Sequence, residues 1–241
     1  MTVRILHTND FHGMLDEARE AHLQVLRRDC DFYFDCGDAI KSGNLAVPLR
    51  PEEAWKHLAS LDCSASVPGN RESHVLAGAF AKKIEGHRHP IVCANMHLKS
   101  GLQPLPGYLL FEHGSLRVGV VGVMVAMVTK RMATQAASAY LWDPPIPKAI
   151  AVGEELRPNV DLLIALTHIG LRQDRELASQ WGGFDLILGG HSHDVLQEPV
   201  VVGKTAICQT GSHGRFAGVY EWDSGSGLAE HKLAPLTPSA R

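Results

Sequence analysis

The sequence predicts an α/β protein, and three observations carry that prediction. Short apolar runs rich in β-branched residues recur along the chain, from "VRIL" to "KTAICQT". Stretches with helical spacing separate them through the first three quarters. After Gly190 the helical spacing stops and short antiparallel strands are expected, which points to a mixed sheet or a pair of sheets.

In chain order, "VRIL" is the first strand and "MLDEAREAHLQVLRR" the first helix, with apolar residues on one face and charges on the other. "DFYFDC" is a strand, "PEEAWKHLASL" a helix and "SASV" a short strand. "HVLAGAFAKKIEG" has helical spacing from His74 onward. "PIVCAN" and "LRVGVVGVMV" are strands, as are "VDLLIAL" and "FDLILGG", with the helix "LRQDRELASQW" between the last two. "SGLQPLPG" (100–107) and the "WDPPIP" run from Trp142 are Pro-rich loops rather than linkers, being neither long nor charged.

Composition bounds the rest. A chain of 241 residues, 45% hydrophobic and 20% charged, supports one sizeable core, so a single domain over 1–241 is expected. The net charge of -3 and the scattered Lys and Arg offer no basic stripe to track a nucleic-acid backbone, and no sequence-specific nucleic-acid partner is expected. Cys30, Cys36, Cys63, Cys93 and Cys208 form no CxxC pair and read as buried, reduced thiols. The apolar run "VGVVGVMVAMV" is about half of the ~20 residues a membrane helix needs, so it reads as a buried strand and no membrane partner is expected. "MTVRILHTND" lacks the basic start and apolar stretch of a signal peptide, and a cytoplasmic location is the expectation.

Where polar residues fall relative to the strands is more informative, because in α/β sheets sites form beyond the carboxyl ends of strands. Five strand ends carry metal-type donors. These are Asp10 and His12 in "VRILHTNDFHG", Asp38 in "DFYFDCGDAIKSGN", Asn70 in "SASVPGN", His168 in "VDLLIALTHIG", and His191 and His193 in "FDLILGGHSH". Alone, an Asp or Asn after a strand caps a turn or a helix, and a lone His is a hydrogen-bonded surface or core residue. The repetition predicts convergence. His7 reads as an internal strand residue and Asn9 as a turn residue.

Imidazole and carboxylate donors without thiolate favour Zn, Fe or Mn. Two dications about 3.5–4 Å apart can clamp a phosphoryl group, and holding them so close needs an anionic bridge, for which Asp38 is the natural residue. Asp10 and His12, two apart, share a face of an extended segment, and His191 and His193 repeat the arrangement.

"ILHTNDFHG", "GDAIKSGN", "VPGNRE", "ALTHIG" and "GGHSH", in this order, resemble the calcineurin-like metallophosphoesterases, specifically their 5'-nucleotidase branch. The resemblance runs from Val3 to about Trp222, through "QTGSHGRFAGVYEW". It implies a two-sheet αββα sandwich and two divalent ions, Mn, Zn or Fe. Asp10, His12, Asp38 and His193 would hold one, and Asp38, Asn70, His168 and His191 the other. A metal-bridging hydroxide would attack phosphorus in line. The implied activity is hydrolysis of a phosphomonoester or phosphodiester, a nucleotide among the candidates.

Two departures stand out. The family motif Gly-Asn-His-Glu, followed two residues on by Asp, reads here "GNRESH": Arg71 replaces the histidine and His74 stands in the place of the aspartate. A guanidinium keeps its proton at ordinary pH and cannot be a general acid, yet its planar fork suits a phosphate oxygen. An imidazole at His74, one turn on if the segment is helical, can protonate a leaving oxygen. Three roles are open to Arg71: an electrostatic substitute with His74 as the relocated acid, a holder of a second anionic group of the substrate, or the mark of a site that binds metal and turns over poorly. A surface pair with Glu72 or Glu85 is the bland alternative.

The second departure is that the family's C-terminal nucleotide-binding domain is not expected within 1–241. Either a partner chain or second copy completes the substrate site, or a small phosphorylated substrate is held mainly through its phosphate. Local loops then matter: "IKSGNLAVPLRPEE", the segment with Lys130, Arg131, Tyr140 and Trp142, and "GSHG", where His213 is the candidate substrate contact and Arg215 follows. Two other functions remain open, a sulfur-ester hydrolase on the same fold and a metal-binding regulatory module with weak or no turnover.

Overall fold

The computed structural model describes residues 1–236. Its strands are β1 (Thr2–Thr8), β2 (Phe32–Asp35), β3 (Ala65–Ser66), β4 (Met96–Leu98), β5 (Tyr108–His113), β6 (Leu116–Met124), β7 (Tyr140–Trp142), β8 (Leu162–His168), β9 (Leu186–Gly189), β10 (Val200–Val202), β11 (Thr205–Cys208), β12 (Phe216–Asp223) and β13 (Gly227–Pro235). Its α-helices are α1 (Glu17–Arg27), α2 (Glu53–Ser60), α3 (Ala77–Lys83), α4 (Pro145–Leu156) and α5 (Leu171–Gln180).

Two sheets form the frame. The first runs β13-β12-β1-β2-β3, with β1, β2 and β3 parallel and β12 and β13 antiparallel. The second runs β10-β11-β9-β8-β6-β5, parallel from β11 to β6 and antiparallel at both edges. Each is mixed; of the strands after Gly190, β10, β12 and β13 are antiparallel to their neighbours as expected, whereas β11 runs parallel to β9.

Alternation along the strands builds the layers. Val3 and Ile5 of β1 meet Leu162, Ile164 and Leu166 of β8 in the core between the sheets. Leu6, the next residue along β1, packs outward with Leu23 of α1 and Leu58 of α2. On the other side Leu163 and Ala165 pack against Ala149 of α4 and Leu177 of α5. The outcome is the αββα sandwich. Each such Val, Leu or Ile side chain, taken fully from water, contributes about 1.5–3 kcal/mol before chain entropy is counted.

Three local expectations are corrected. "PIVCAN" is not a full strand: Val92 N donates to Ser66 O at 2.8 Å and Ala94 N to Gly122 O at 2.7 Å, so the segment crosses from one sheet to the other. Gly122 permits that crossing, since a Cβ there would lie 2.2 Å from Val92 O. The "WDPPIP" run is not all loop, because β7 ends at Trp142 and α4 begins at Pro145. Proline is tolerated in a first helical turn, whose N–H groups have no partner within the helix. The helix expected from His74 begins at Ala77. Among the described residues, no helix is long and apolar enough to cross a membrane.

Candidate metal centre

The parallel strands of the two sheets bring their carboxyl ends together, and the loops leaving them meet across the sandwich. The first sheet contributes Asp10, His12, Asp38 and Asn70 from the segments after β1, β2 and β3. The second contributes His168, the last residue of β8, with His191 and His193 after β9. Hydrogen bonds tie the halves: His168 Nδ1 lies 2.6 Å from Cys36 O, and His191 N donates to Asp10 Oδ2 at 2.8 Å.

All seven residues expected from the sequence lie in this cluster. Around Asp10, His193 Nε2 is 3.2 Å and His12 Nε2 3.5 Å from Oδ1, and the two imidazole nitrogens are 2.9 Å apart. Around Asp38, His168 Nε2 is 3.6 Å from Oδ1 and His12 Nδ1 is 3.8 Å from Oδ2. Asn70 Oδ1 lies 3.0 Å from His191 Nδ1 and 3.3 Å from His168 Nε2. Asp10, Asp38 and His168 are buried, whereas His191 and His193 are exposed, so the carboxylates form the floor and two imidazoles the mouth. Asp10 belongs to two groups of metal-type donors, one with His12 and His193 and one with Asp38 and His168, whereas Asp38 belongs to the second alone.

The backbone that achieves this is not the extended one expected for Asp10-x-His12 and His191-x-His193. Asp10, His12, Asp38, His191, His193 and His213 all have positive φ, between 52° and 80°. The left-handed conformation costs a non-glycine residue roughly 1–2 kcal/mol. Convergence therefore comes from sharp turns after the strands, not from strand alternation. Gly69 shows how tight the packing is, since a Cβ there would lie 2.1 Å from Asp38 Oδ1.

Supporting residues explain how these turns are held, and two escaped the sequence reading. Asn9, read as a simple turn residue, is buried; it donates to Asp10 Oδ2 at 2.8 Å and to Gly211 O at 2.7 Å, and accepts from Thr210 N at 2.9 Å. Glu72 is buried and accepts from Asp38 N, Ile40 N and Gly69 N at 2.8–3.1 Å, binding the loops after β2 and β3 to each other. Burial raises the Glu72 carboxyl, and the Asp38 charge adds to the rise. For Asp10, burial acts to raise the carboxyl. The adjacent His193 imidazole, the charge of His168 and the donors Asn9 and His191 N outweigh it and hold Asp10 below the usual range.

Arg71 lies at the cluster, not in a surface pair with Glu72 or Glu85. Its Nη1 donates to Lys41 O at 3.0 Å, and its Nε is 3.9 Å from Asp38 Oδ2. Glu85 pairs instead with Lys82. His74 is not drawn in: its segment is not helical, its Nδ1 accepts from Leu76 N at 3.0 Å, and no hydrogen bond joins it to the cluster. His213 is exposed at the mouth, with its ring centroid 5.0 Å from that of His12 and 6.0 Å from that of His193. Tyr140 and Trp142 are core residues packed with Phe80 and Met124, while Lys130 and Arg131 are exposed. All five cysteines are buried and unpaired, and Cys36 Sγ donates to Leu188 O between the sheets.

A family model described as Calcineurin-like phosphoesterase matches residues 3–195. The chain belongs to this family. The trifunctional nucleotide phosphoesterase protein YfkN of Bacillus subtilis is 28% identical over 89% of the chain, which spans 17% of that relative. Human 5'-nucleotidase is 25% identical over 88% of the chain, which spans 42% of it. The solved structure of calcineurin-like phosphoesterase YfkN from Bacillus subtilis aligns with all of this chain and 92% of that one, at a TM-score of 0.79 and 20% identity, a likeness of fold.

Membership in the family implies divalent metal, and the residues fit. Asp10 Oδ1 and His12 Nδ1 are buried within the cluster without a hydrogen-bond partner. Buried polar atoms are rarely left so, and these two retain lone-pair capacity for a cation. The oxygen and imidazole donor set agrees with a Zn, Fe or Mn site.

Proposed function

We propose that this phosphoesterase-family chain hydrolyses a small phosphoric ester, monoester or diester, at the Asp10–Asp38 cluster, with two divalent cations (Mn, Zn or Fe) as cofactors. The observation that carries the reading is the pair of unpartnered acceptors at Asp10 and His12, set in seven donors from two sheets. Asp10, His12, Asp38 and His193 would hold one cation, and Asp38, Asn70, His168 and His191 the other. Cations held there supply Lewis acidity toward a phosphoryl oxygen and make water a nucleophile near neutral pH.

The chain's own residues do the rest. Asn9 holds the Asp10 carboxylate, and Glu72 holds the Asp38 main chain, through buried hydrogen bonds. Arg71 brings a permanent positive charge beside Asp38, where it can receive charge that accumulates on the phosphoryl oxygens during transfer. His213, exposed beside His12 and His193, contacts the ester at the mouth. We assign His74 no step, because its ring is committed to Leu76 N.

The test is hydrolysis of para-nitrophenyl phosphate and its bis-aryl diester by chelator-stripped protein, with Mn, Zn, Fe(II) or no metal restored. Turnover that returns with metal and is lost in Asp38→Ala supports the reading. Two metals bound per chain with no turnover of either ester would replace it with a metal-binding regulatory role.

A further inference from the structure

We propose that Lys83 is a positioning residue for Arg71, gripping from inside the fold the two loops that hold the guanidinium at the cluster. The inference rests on the hydrolase reading above through the role given to Arg71.

Lys83 ends α3 and is fully buried. Lysine is almost never fully buried unless paired, since removing an ammonium from water is costly. Here no carboxylate among the described residues lies within ion-pair distance. Nζ instead donates to Arg71 O at 2.6 Å and to Gly43 O at 2.8 Å. Those carbonyls belong to the loop after β3 and the loop after β2. The same two loops meet again where Arg71 Nη1 donates to Lys41 O and where Asn70 Nδ2 donates to Asn44 Oδ1 at 2.9 Å. Lys83 thus closes a ring running from Gly43 through Lys41 to the Arg71 guanidinium and back through the Arg71 carbonyl.

The position is itself anchored, because Trp55 Nε1 donates to Lys83 O at 2.8 Å. Burial lowers the Lys83 ammonium from its ordinary value, while the charges of Glu72, Glu52 and Asp38 act to raise it. An apolar side chain of similar length would fill the space without that cost. It would leave two carbonyls ungripped and release residues 41–44 from residue 71. Arg71 would then keep its charge and lose its placement.

The test compares Lys83→Met, Lys83→Gln, Arg71→Ala and the double variant Lys83→Met/Arg71→Ala, each as the whole metal-loaded chain. Three quantities are read: kcat/KM on para-nitrophenyl phosphate, metal content, and calorimetric affinity for inorganic phosphate. Lys83→Met should reproduce the Arg71→Ala loss, about 10- to 100-fold in kcat/KM, with phosphate affinity weakened and metal content unchanged. Lys83→Gln, which retains a donor for one carbonyl, should fall between. The double variant should be no worse than Arg71→Ala.

Wild-type kinetics and phosphate affinity in Lys83→Met, or full additivity in the double variant, would overturn the proposal. A further reading needs no folded Lys83 variant: the Arg71 Nε–H signal, assigned by its absence from Arg71→Ala, should be ordered on the ps–ns timescale in the unmutated protein. A mobile signal overturns the clamp. If the unmutated protein turns over no phosphoester, the hydrolase reading fails instead, and the phosphate and NMR arms still judge Lys83.

Discussion

The Arg71 main chain and side chain address the same carboxylate: its amide donates to Asp38 Oδ1 at 2.7 Å, while its Nε stands 3.9 Å from Oδ2. The residue that departs from the family motif is therefore built into the support of the central aspartate. Its side chain is 29% exposed, so the charge can meet a substrate and is partly screened by water.

For that reason Arg71→Ala should lower kcat/KM on a phosphomonoester by about 10- to 100-fold while metal content stays normal. Steady-state kinetics with metal analysis on the same preparation would check it. Kinetics like the parent's would remove the guanidinium from the reaction.

Gly69→Ala should act through Asp38. The new methyl would fall 2.1 Å from Oδ1 and 2.5 Å from the Asp38 amide, so carboxylate and loop must move. Metal affinity, followed by calorimetric titration into chelator-stripped protein, should drop about 10- to 100-fold. Unchanged affinity would show that Asp38 does not hold the cation.

Glu72→Gln tests the loop support separately from the chemistry. Glu72 Oε2 accepts from Asp38 N and Gly69 N, and Oε1 from Ile40 N. An amide can offer only one acceptor oxygen, which leaves at least one buried N–H facing another donor. Chemical denaturation should show a loss of about 1–3 kcal/mol. A stability within error of the parent would mean that the loops after β2 and β3 do not depend on this carboxylate.

Asp174 gives a pH signature. Burial pushes its carboxyl up to about 7, against the lowering effect of hydrogen bonds from Thr167 and Gln209. The folded chain holds this proton more tightly than the unfolded chain, whose carboxyl titrates near 3.8. This group's contribution to stability is therefore full below pH 3.8 and falls as the pH rises toward 7. Asp174→Asn keeps an acceptor for Thr167 and removes the titration. Its stability relative to the parent should improve between pH 4 and pH 7 by at least about 1.4 kcal/mol, the value of one pKa unit. Parallel stability–pH curves would contradict the assignment.

The seven cluster residues were legible because each follows a β-rich run closely enough to be tied to that strand's end, and strand ends of parallel sheets share an edge. The backbone that aims them was not legible, because positive φ at Asp and His leaves no compositional mark as it does at Gly. Asn9 hid its role because its partners, Thr210 and Gly211, lie about two hundred residues away. Glu72 had a signal that passed unused: an acid flanked by Arg71 and Ser73, in a turn next to Asn70, needs partners once that turn is buried. The helix at Pro145 was masked by its prolines, which mark loops more often than helix starts. Lys83 is indistinguishable from Lys82 by type, and only the direction in which the helix faces the core separates them.

The division of the cluster between two sheets makes it a gauge of their alignment. Three carboxylate or amide residues ride on one slab and three imidazoles on the other, with His12 reaching between them. The slabs are held in register by the apolar layer that includes Ile5, Val118, Ile164 and Leu188, together with the few hydrogen bonds that cross between them. A sub-ångström slide there would leave every strand intact and still part Asn70 from His191 and Asp10 from His193. Remote packing defects in this protein should thus disturb the donor cluster before they reach the melting curve, and the distant core sets the tolerance to which that cluster is built.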